Sequence, residues 1–235
     1  MKLRNTLFLS ILGFSNATAA TLLTENFDYS DGSLGTLNTA WQRHSGTVGD
    51  LLVTSGAAIV QHGTPSEDIN VQFDAVSAGT LTATFDLTVN DDTPIGGSDF
   101  EYFAHFMTRG SSNFRARLDI QASASGDYTL GISSSTSTAE ATLTAGFTYG
   151  TVVPVIMSFD VETGTASLTV EGETITGSAN GAESIDAFAL RQSDSSNNET
   201  VTIDNLVISD SSVVPEPSSA LLGGLALLGL VRRKR

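Results

Sequence analysis

The 235-residue chain has no cysteine, so no disulfide can brace it. Positive charge is almost as scarce where it would matter. Of 11 lysines and arginines, six sit at the two ends: Lys2, Arg4, Arg232, Arg233, Lys234 and Arg235. Residues 21–211 hold no lysine and only Arg43, Arg109, Arg115, Arg117 and Arg191, against every acid except Glu216. A field of that sign disfavours nucleic acid and anionic membrane surfaces as partners, and it favours solubility and divalent cations. Helical periodicity longer than a turn is missing between residues 21 and 211, as is any useful internal repeat. Gly-x-Ser-x-Gly, zinc-helix and P-loop patterns are absent too, and His44, His62 and His105 stand isolated in the sequence.

What is present begins at the ends. A cationic Met1-Lys2-Leu3-Arg4, an apolar stretch from Leu7 to Phe14 and a small-x-small Ala17-Thr18-Ala19 form the pattern of a secretory signal peptide. Cleavage after Ala19 or Ala20 fits equally well, and either implies passage through an export machinery. At the other end, Val214-Pro215-Glu216-Pro217 precedes an uncharged run, Ala220–Val231, and four terminal cations. The run is shorter than the ~20 residues of a comfortable span, but snorkelling and local thinning extend its reach. The cations fix its cytoplasmic side. This tripartite tail resembles the PEP-CTERM sorting signal, which implies an exosortase-type membrane protease as partner. It also implies an inner-membrane-anchored precursor, with 218–231 as a short transmembrane helix, and later delivery to the cell surface or exterior. Glu216 would be the recognition charge, held extended by its two prolines.

The segments divide the chain into signal peptide 1–20, a domain at 21–211 and a sorting region at 212–235. Period-two alternation bounded by Gly, Asn, Asp and Ser dominates the domain and predicts strands. The clearest is Thr80–Asn90, where Leu81, Ala83, Phe85, Leu87 and Val89 share one face. Further strands are expected over 22–28, 51–54, 57–61, 69–75, 99–108, 113–121, 127–133, 152–161, 165–171, 185–192 and 200–209. Pro154 marks a strand edge or bulge, and Glu162-Thr163-Gly164 and Glu171-Gly172-Glu173 read as hairpin turns. About a dozen antiparallel strands predict an all-β, two-sheet sandwich or jelly roll.

Three segments sharpen this. Glu25-Asn26-Phe27-Asp28-Tyr29-Ser30-Asp31-Gly32-Ser33-Leu34, the Val155–Val170 hairpin and Ile203-Asp204-Asn205-Leu206-Val207-Ile208 resemble the opening, a recurrent hairpin and the closing strand of concanavalin A-like (LamG-like) jelly rolls. The resemblance implies a structural Ca2+ between an early acid and one on the last strand, here Glu25 and Asp204 with Asp28 as a third ligand. Asp204-Asn205 as a plain strand turn is the competing reading.

A second site emerges from the strand faces. Alternation through 99–107 places Phe100, Tyr102, Ala104 and Phe106 inward and Glu101, Phe103, His105 and Met107 outward. The next strand sends Phe114, Ala116, Leu118 and Ile120 inward. Keeping Phe106 beside Phe114 then pairs His105 with Arg115, Phe103 with Arg117 and Glu101 with Asp119. An aromatic flanked by guanidiniums suits a polysaccharide's hydroxyls or carboxylates. The same strip also reads as ordinary cross-strand pairing, in which case the domain is a structural matrix or envelope protein. Trp41, the sole tryptophan, fits either a sugar platform or the core. Laminarinase-like enzymes of this fold carry Glu-x-Asp-x-x-Glu; here Asp99 and Glu101 have the spacing of two members without the third, so no enzyme is expected.

Overall fold

The computed structural model describes residues 19–211 apart from 62, 64, 92–94, 97–99 and 193–199. The bulk of the signal peptide, His62, Asp99, Val214–Pro217, the 218–231 helix and Arg232–Arg235 lie outside the described residues. The chain opens with β1 (Ala20–Glu25), β2 (Gly32–Ser33), a single turn α1 (Leu34–Leu37) and β3 (Trp41–Gly46). There follow β4 (Leu52–Thr54), β5 (Ala57–Gln61), β6 (Glu67–Val76) and β7 (Thr80–Val89). The middle comprises β8 (Phe100–Met107), β9 (Phe114–Ala122), β10 (Tyr128–Ser133), β11 (Ala141–Thr142) and β12 (Val152–Asp160). Finally come β13 (Thr165–Val170), β14 (Glu173–Thr176), β15 (Ile185–Arg191) and β16 (Thr200–Asp210).

These strands form two antiparallel sheets, the two-layer jelly roll that alternation predicts. One runs β14-β13-β12-β7-β16-β5-β4-β2, with β1 also on β16; the other runs β11-β10-β9-β8-β15-β6-β3. Because successive side chains leave a strand on opposite faces, one alternating set from each sheet meets between the layers. Leu81, Ala83, Phe85, Leu87 and Val89 from β7 meet Phe106, Leu118, Ile120 and Phe188 from the second sheet. Phe188 lies 6.4 Å from Phe85 of the facing sheet, a tilted contact that ties the layers, and 5.7 Å edge-on from Phe106 on the neighbouring strand of its own sheet. Each contact is worth about 0.5–1.5 kcal/mol beyond area burial. Ala19–Ser212 form one compact unit around this core.

The turns follow their residues. Gly164 (φ +69) closes β12 to β13, while Asp160 Oδ1 accepts from the backbone N–H groups of Glu162 and Thr163. Glu171 and Gly172, both at positive φ, close β13 to β14. Pro154 sits in β12 just past the point where β13 stops pairing, at Val155, so a missing N–H is tolerated there.

Candidate functional site

The joined termini were expected to hold calcium. Glu25 ends β1 opposite Leu206 of β16 and is 6% exposed. Its Oε1 accepts from Phe27 N–H at 2.9 Å. Its Oε2 accepts from Tyr29 O–H (3.1 Å), Asn38 Nδ2 (3.0 Å) and Trp41 Nε1 (3.1 Å). Four donors aim their positive ends at this carboxylate, a surrounding that does not fit a cation. Asp28 is exposed, and Asp204 faces Asp86 across β7, its Oδ1 accepting from Asn205 N–H. Among the described residues no three metal-ligating side chains converge. Pairing of β1 with β16 does the tying of the ends, while hydrogen bonds to Glu25 fasten residues 27–41 to the end of β1. Trp41, 2% exposed, is core rather than a platform.

On the second sheet two irregularities redraw the expected strip. Between Tyr102 and Ala104 the strand β8 carries one residue too many for its partner. Between Ala104 and Phe106 the surplus falls on β9, at Ala116, whose φ of +48° marks the bulge. The observed pairs are Tyr102 with Asp119, Ala104 with Leu118, Phe106 with Arg115 and Met107 with Phe114. The expected pairings of His105 with Arg115, Phe103 with Arg117 and Glu101 with Asp119 are therefore wrong: Phe106 faces Arg115 rather than Phe114, a register one residue off. The two surplus residues, one on each strand, cancel, so the same offset returns at Tyr102. Phe103 is fully buried in the main core. Phe114, expected inside, instead packs with Met107, Ala187 and Ala189 on the sheet's outer face. Arg115 is committed to a hydrogen-bonded ion pair, Nη2 to Glu183 Oε2 at 2.8 Å. Thr108 and Asn113 donate to the other Glu183 oxygen.

Tyr102 takes the place intended for Phe103. It stands between neighbours on both sides, with the guanidinium carbons of Arg117 from β9 and Arg191 from β15 at 5.1 and 4.1 Å from its ring centre. Arg117 also lies 5.4 Å over Phe114 and donates from Nη1 to the Thr136 carbonyl at 2.7 Å, which draws the 134–139 loop onto the face. His105 packs 4.5 Å from Phe114, 5.8 Å from Tyr102 and 6.1 Å from His44, so two histidines isolated in sequence meet across strands. His105 is wholly buried with neither ring nitrogen hydrogen-bonded; burial, then His44, Arg117 and Arg191, hold it well below the usual imidazole range and therefore neutral. Asp119 is 1% exposed with both oxygens unpartnered. Burial, abetted by Glu101 and opposed by Arg117 and Arg191, pushes its carboxyl up to about 8.

Beside this cluster opens a pocket of about 260 Å3 lined by Phe100, Glu101, Tyr102, Ser137 and Arg191. Phe100 and Tyr102 bring aromatic rings, Ser137 a hydroxyl and Arg191 a guanidinium, while Glu101 is 5% exposed and in register with the core residue Ile120. Of the six side chains singled out in the sequence, Glu101 lines the pocket, and His105, Arg117 and Asp119 support it from the same face. Phe103 and Arg115 take no part. Arg191 and Tyr102 were missed; the signal for Arg191 was its place at the end of a strand in a domain with five cations.

The architecture is a concanavalin A-like jelly roll, a fold also found in lectins. It is similar to peanut lectin solved with a nine-residue peptide, at 15% identity and TM-score 0.52 over 84% of this chain and 100% of that one. It is similar to the carbohydrate recognition domain of Emp47p, at 9% identity and TM-score 0.51 over 85% and 100%. It also resembles part of a sialidase, at 12% identity and TM-score 0.53, with 80% of this chain spanning 19% of that chain's length. No curated protein matches the sequence. Residues 213–235 match the PEP-CTERM protein-sorting motif.

Proposed function

We propose that this is an exported protein, retained at the inner membrane by its C-terminal segment, processed there by an exosortase-type protease and released to the cell surface or exterior. There its jelly roll binds polysaccharide through the outer face of the second sheet. The observation that carries the binding reading is Tyr102 held between Arg117 and Arg191 at the mouth of a mixed polar and aromatic pocket. A guanidinium and a hydroxyl beside aromatic rings match a sugar, which offers hydroxyls on an apolar ring skeleton. The pocket is smaller than the ~300–1,000 Å3 of drug-sized sites, so it suits one ring of a chain end or branch. The lectin-like architecture supports the reading, and so does the absence of a Glu-x-Asp-x-x-Glu strand. The sorting motif supports the export route.

The test is affinity electrophoresis of residues 21–211 in gels cast with a panel of soluble polysaccharides, comparing Tyr102→Ala, Arg191→Ala and Arg115→Ala. At least one polymer should retard the wild type. Tyr102→Ala and Arg191→Ala should each weaken that retention at least tenfold, about 1.4 kcal/mol. Arg115→Ala should lower stability and leave retention alone. Retardation by no polymer would refute the binding reading in favour of a structural matrix role.

A further inference from the structure

The outer face of the other sheet has an order visible only once the strands are in register. Thr21 faces Ser209, Ser209 faces Thr82, Thr82 faces Ser158, Ser158 faces Ser167 and Ser167 faces Thr176. One row of hydroxyls therefore crosses six strands. The next row, two residues along, runs from Thr24 through Val207, Thr84, Ile156 and Thr169 to Thr174. Neither row contains a charged residue, in a chain of formal net charge −15. Acids bound the lane on both sides: Asp86 and Asp204 are paired just beyond the second row, and Asp160 stands beyond the first. Ile156, 43% exposed, sits within the lane, and Val152, 59% exposed, continues the same face of β12. Some hydroxyls are already aligned, with Thr82 Oγ1 3.1 Å from Ser158 Oγ and Thr169 Oγ1 2.8 Å from Thr174 Oγ1.

We infer that this lane is a second binding surface, independent of the Tyr102 pocket and on the opposite sheet, for an uncharged polysaccharide chain. A hydroxyl both donates and accepts, so a row of them matches sugar hydroxyls in either sense without specifying one linkage. The spacing is regular, about 4.8 Å between strands and about 6.7 Å between rows. The exposed Ile156 and Val152 supply apolar contact for the C–H faces of sugar rings. A charge left unpaired under a neutral ligand costs desolvation, and the lane omits charge where its surroundings are acidic. An acidic polymer is repelled by the bordering carboxylates. A rigid crystalline lattice such as ice does not follow a sheet that turns about 20–25° per strand, whereas a flexible chain does.

The probe is an insoluble but non-crystalline neutral glucan, acid-swollen amorphous cellulose or curdlan, in a pull-down with residues 21–211 at low and high salt. Wild type should sediment with at least one glucan, with retention unchanged by salt. Thr84→Glu/Ser167→Glu and Thr84→Lys/Ser167→Lys should each lose it at least tenfold. Thr84→Val/Thr169→Val, which keeps strand propensity while deleting hydroxyls, should lose it in part at unchanged melting temperature. Tyr102→Ala/Arg191→Ala should still sediment, which separates this lane from the pocket. The inference is overturned if wild type sediments with neither glucan, if the charged variants bind as wild type does, or if retention disappears only in the pocket variant. Self-association, or binding to ice, that the charged variants abolish without any glucan retention would overturn it as well.

Discussion

Replacing Glu25 by alanine removes the acceptor on which the segment from β1 to β3 converges. Two of its four donors have no route to water: the backbone N–H of Phe27, whose residue is fully buried at φ +51°, and the indole N–H of Trp41. Leaving a buried donor unsatisfied costs about 1–3 kcal/mol, and these bonds were made to a charged acceptor. Tyr29 and Asn38 are only partly buried and find water or each other, since Asn38 Nδ2 already donates to the Tyr29 hydroxyl at 2.8 Å. The loss should therefore come to roughly 3–5 kcal/mol. At about 2–4 °C per kcal/mol for a domain of this size, the melting midpoint should fall by on the order of 10 °C. Glu25→Gln should lose less, because the amide retains one acceptor while its NH2 confronts donors. The assay is thermal and urea unfolding of residues 21–211 for wild type and both variants, each in excess calcium and in EGTA. Wild type should melt at the same temperature in both media. A calcium-dependent rise that Glu25→Ala abolishes, or a fall of less than 2 °C in that variant, would refute the hydrogen-bonded account.

Asp119 predicts an unusual pH dependence. Its folded carboxyl titrates near 8, above the ~3.9 of an unfolded aspartate, so the native state holds the extra proton between those values and stability falls as pH rises from about 4 to about 8. The slope from this one group is about 1.4 kcal/mol per pH unit, and Asp119→Asn should remove it. Melting temperatures of the two proteins measured from pH 5 to 9 should therefore diverge, with the variant ahead at alkaline pH; parallel curves would contradict the assignment. Deleting residues 215–235 should free the precursor from the membrane fraction, as cell fractionation and immunoblotting would show. A precursor that still fractionates with the membrane would sink the sorting role of the tail.

Much of the sandwich was legible because alternation is a local property. The buried set of β7 could be read residue by residue, and both Gly-containing hairpins close as their residues require. Strands whose existence depends on a neighbour were harder to see. Within β3 only Trp41 is buried, and the polar Gln42 and Arg43 hold strand conformation by pairing with β6, His44 falling at a register shift. The short β14 likewise exists as an edge on β13. The candidate site was half legible for the same reason. Its polar face survived, but the partners on it depended on a register one residue off the expected one and on two bulges between β8 and β9, one of them at an alanine in a backbone conformation more usual for glycine or asparagine. No pattern in 113–121 announces that conformation. Arg191 could be assigned to Tyr102 only by knowing that β15 pairs with β8.

The distribution of positive charge gives the two outer faces different chemistry. Arg109 is taken by Asp186 and Arg115 by Glu183, both where the β8–β9 connection meets the start of β15. Arg117 and Arg191 lie instead against an aromatic ring. Asp119, two residues along β9 from Arg117, keeps its proton at neutral pH and so does not cancel it, while Arg191 faces Asp68 of β6. On the other sheet the neutral lane carries neither sign of charge. One face can thus grip a sugar by directed, charge-assisted bonds, while the other can meet only a partner that asks for no charge. A domain equipped on both sides in this way would bridge two polymer chains without a second copy of itself, and variants that disable one face should bind one polymer yet fail to cross-link two.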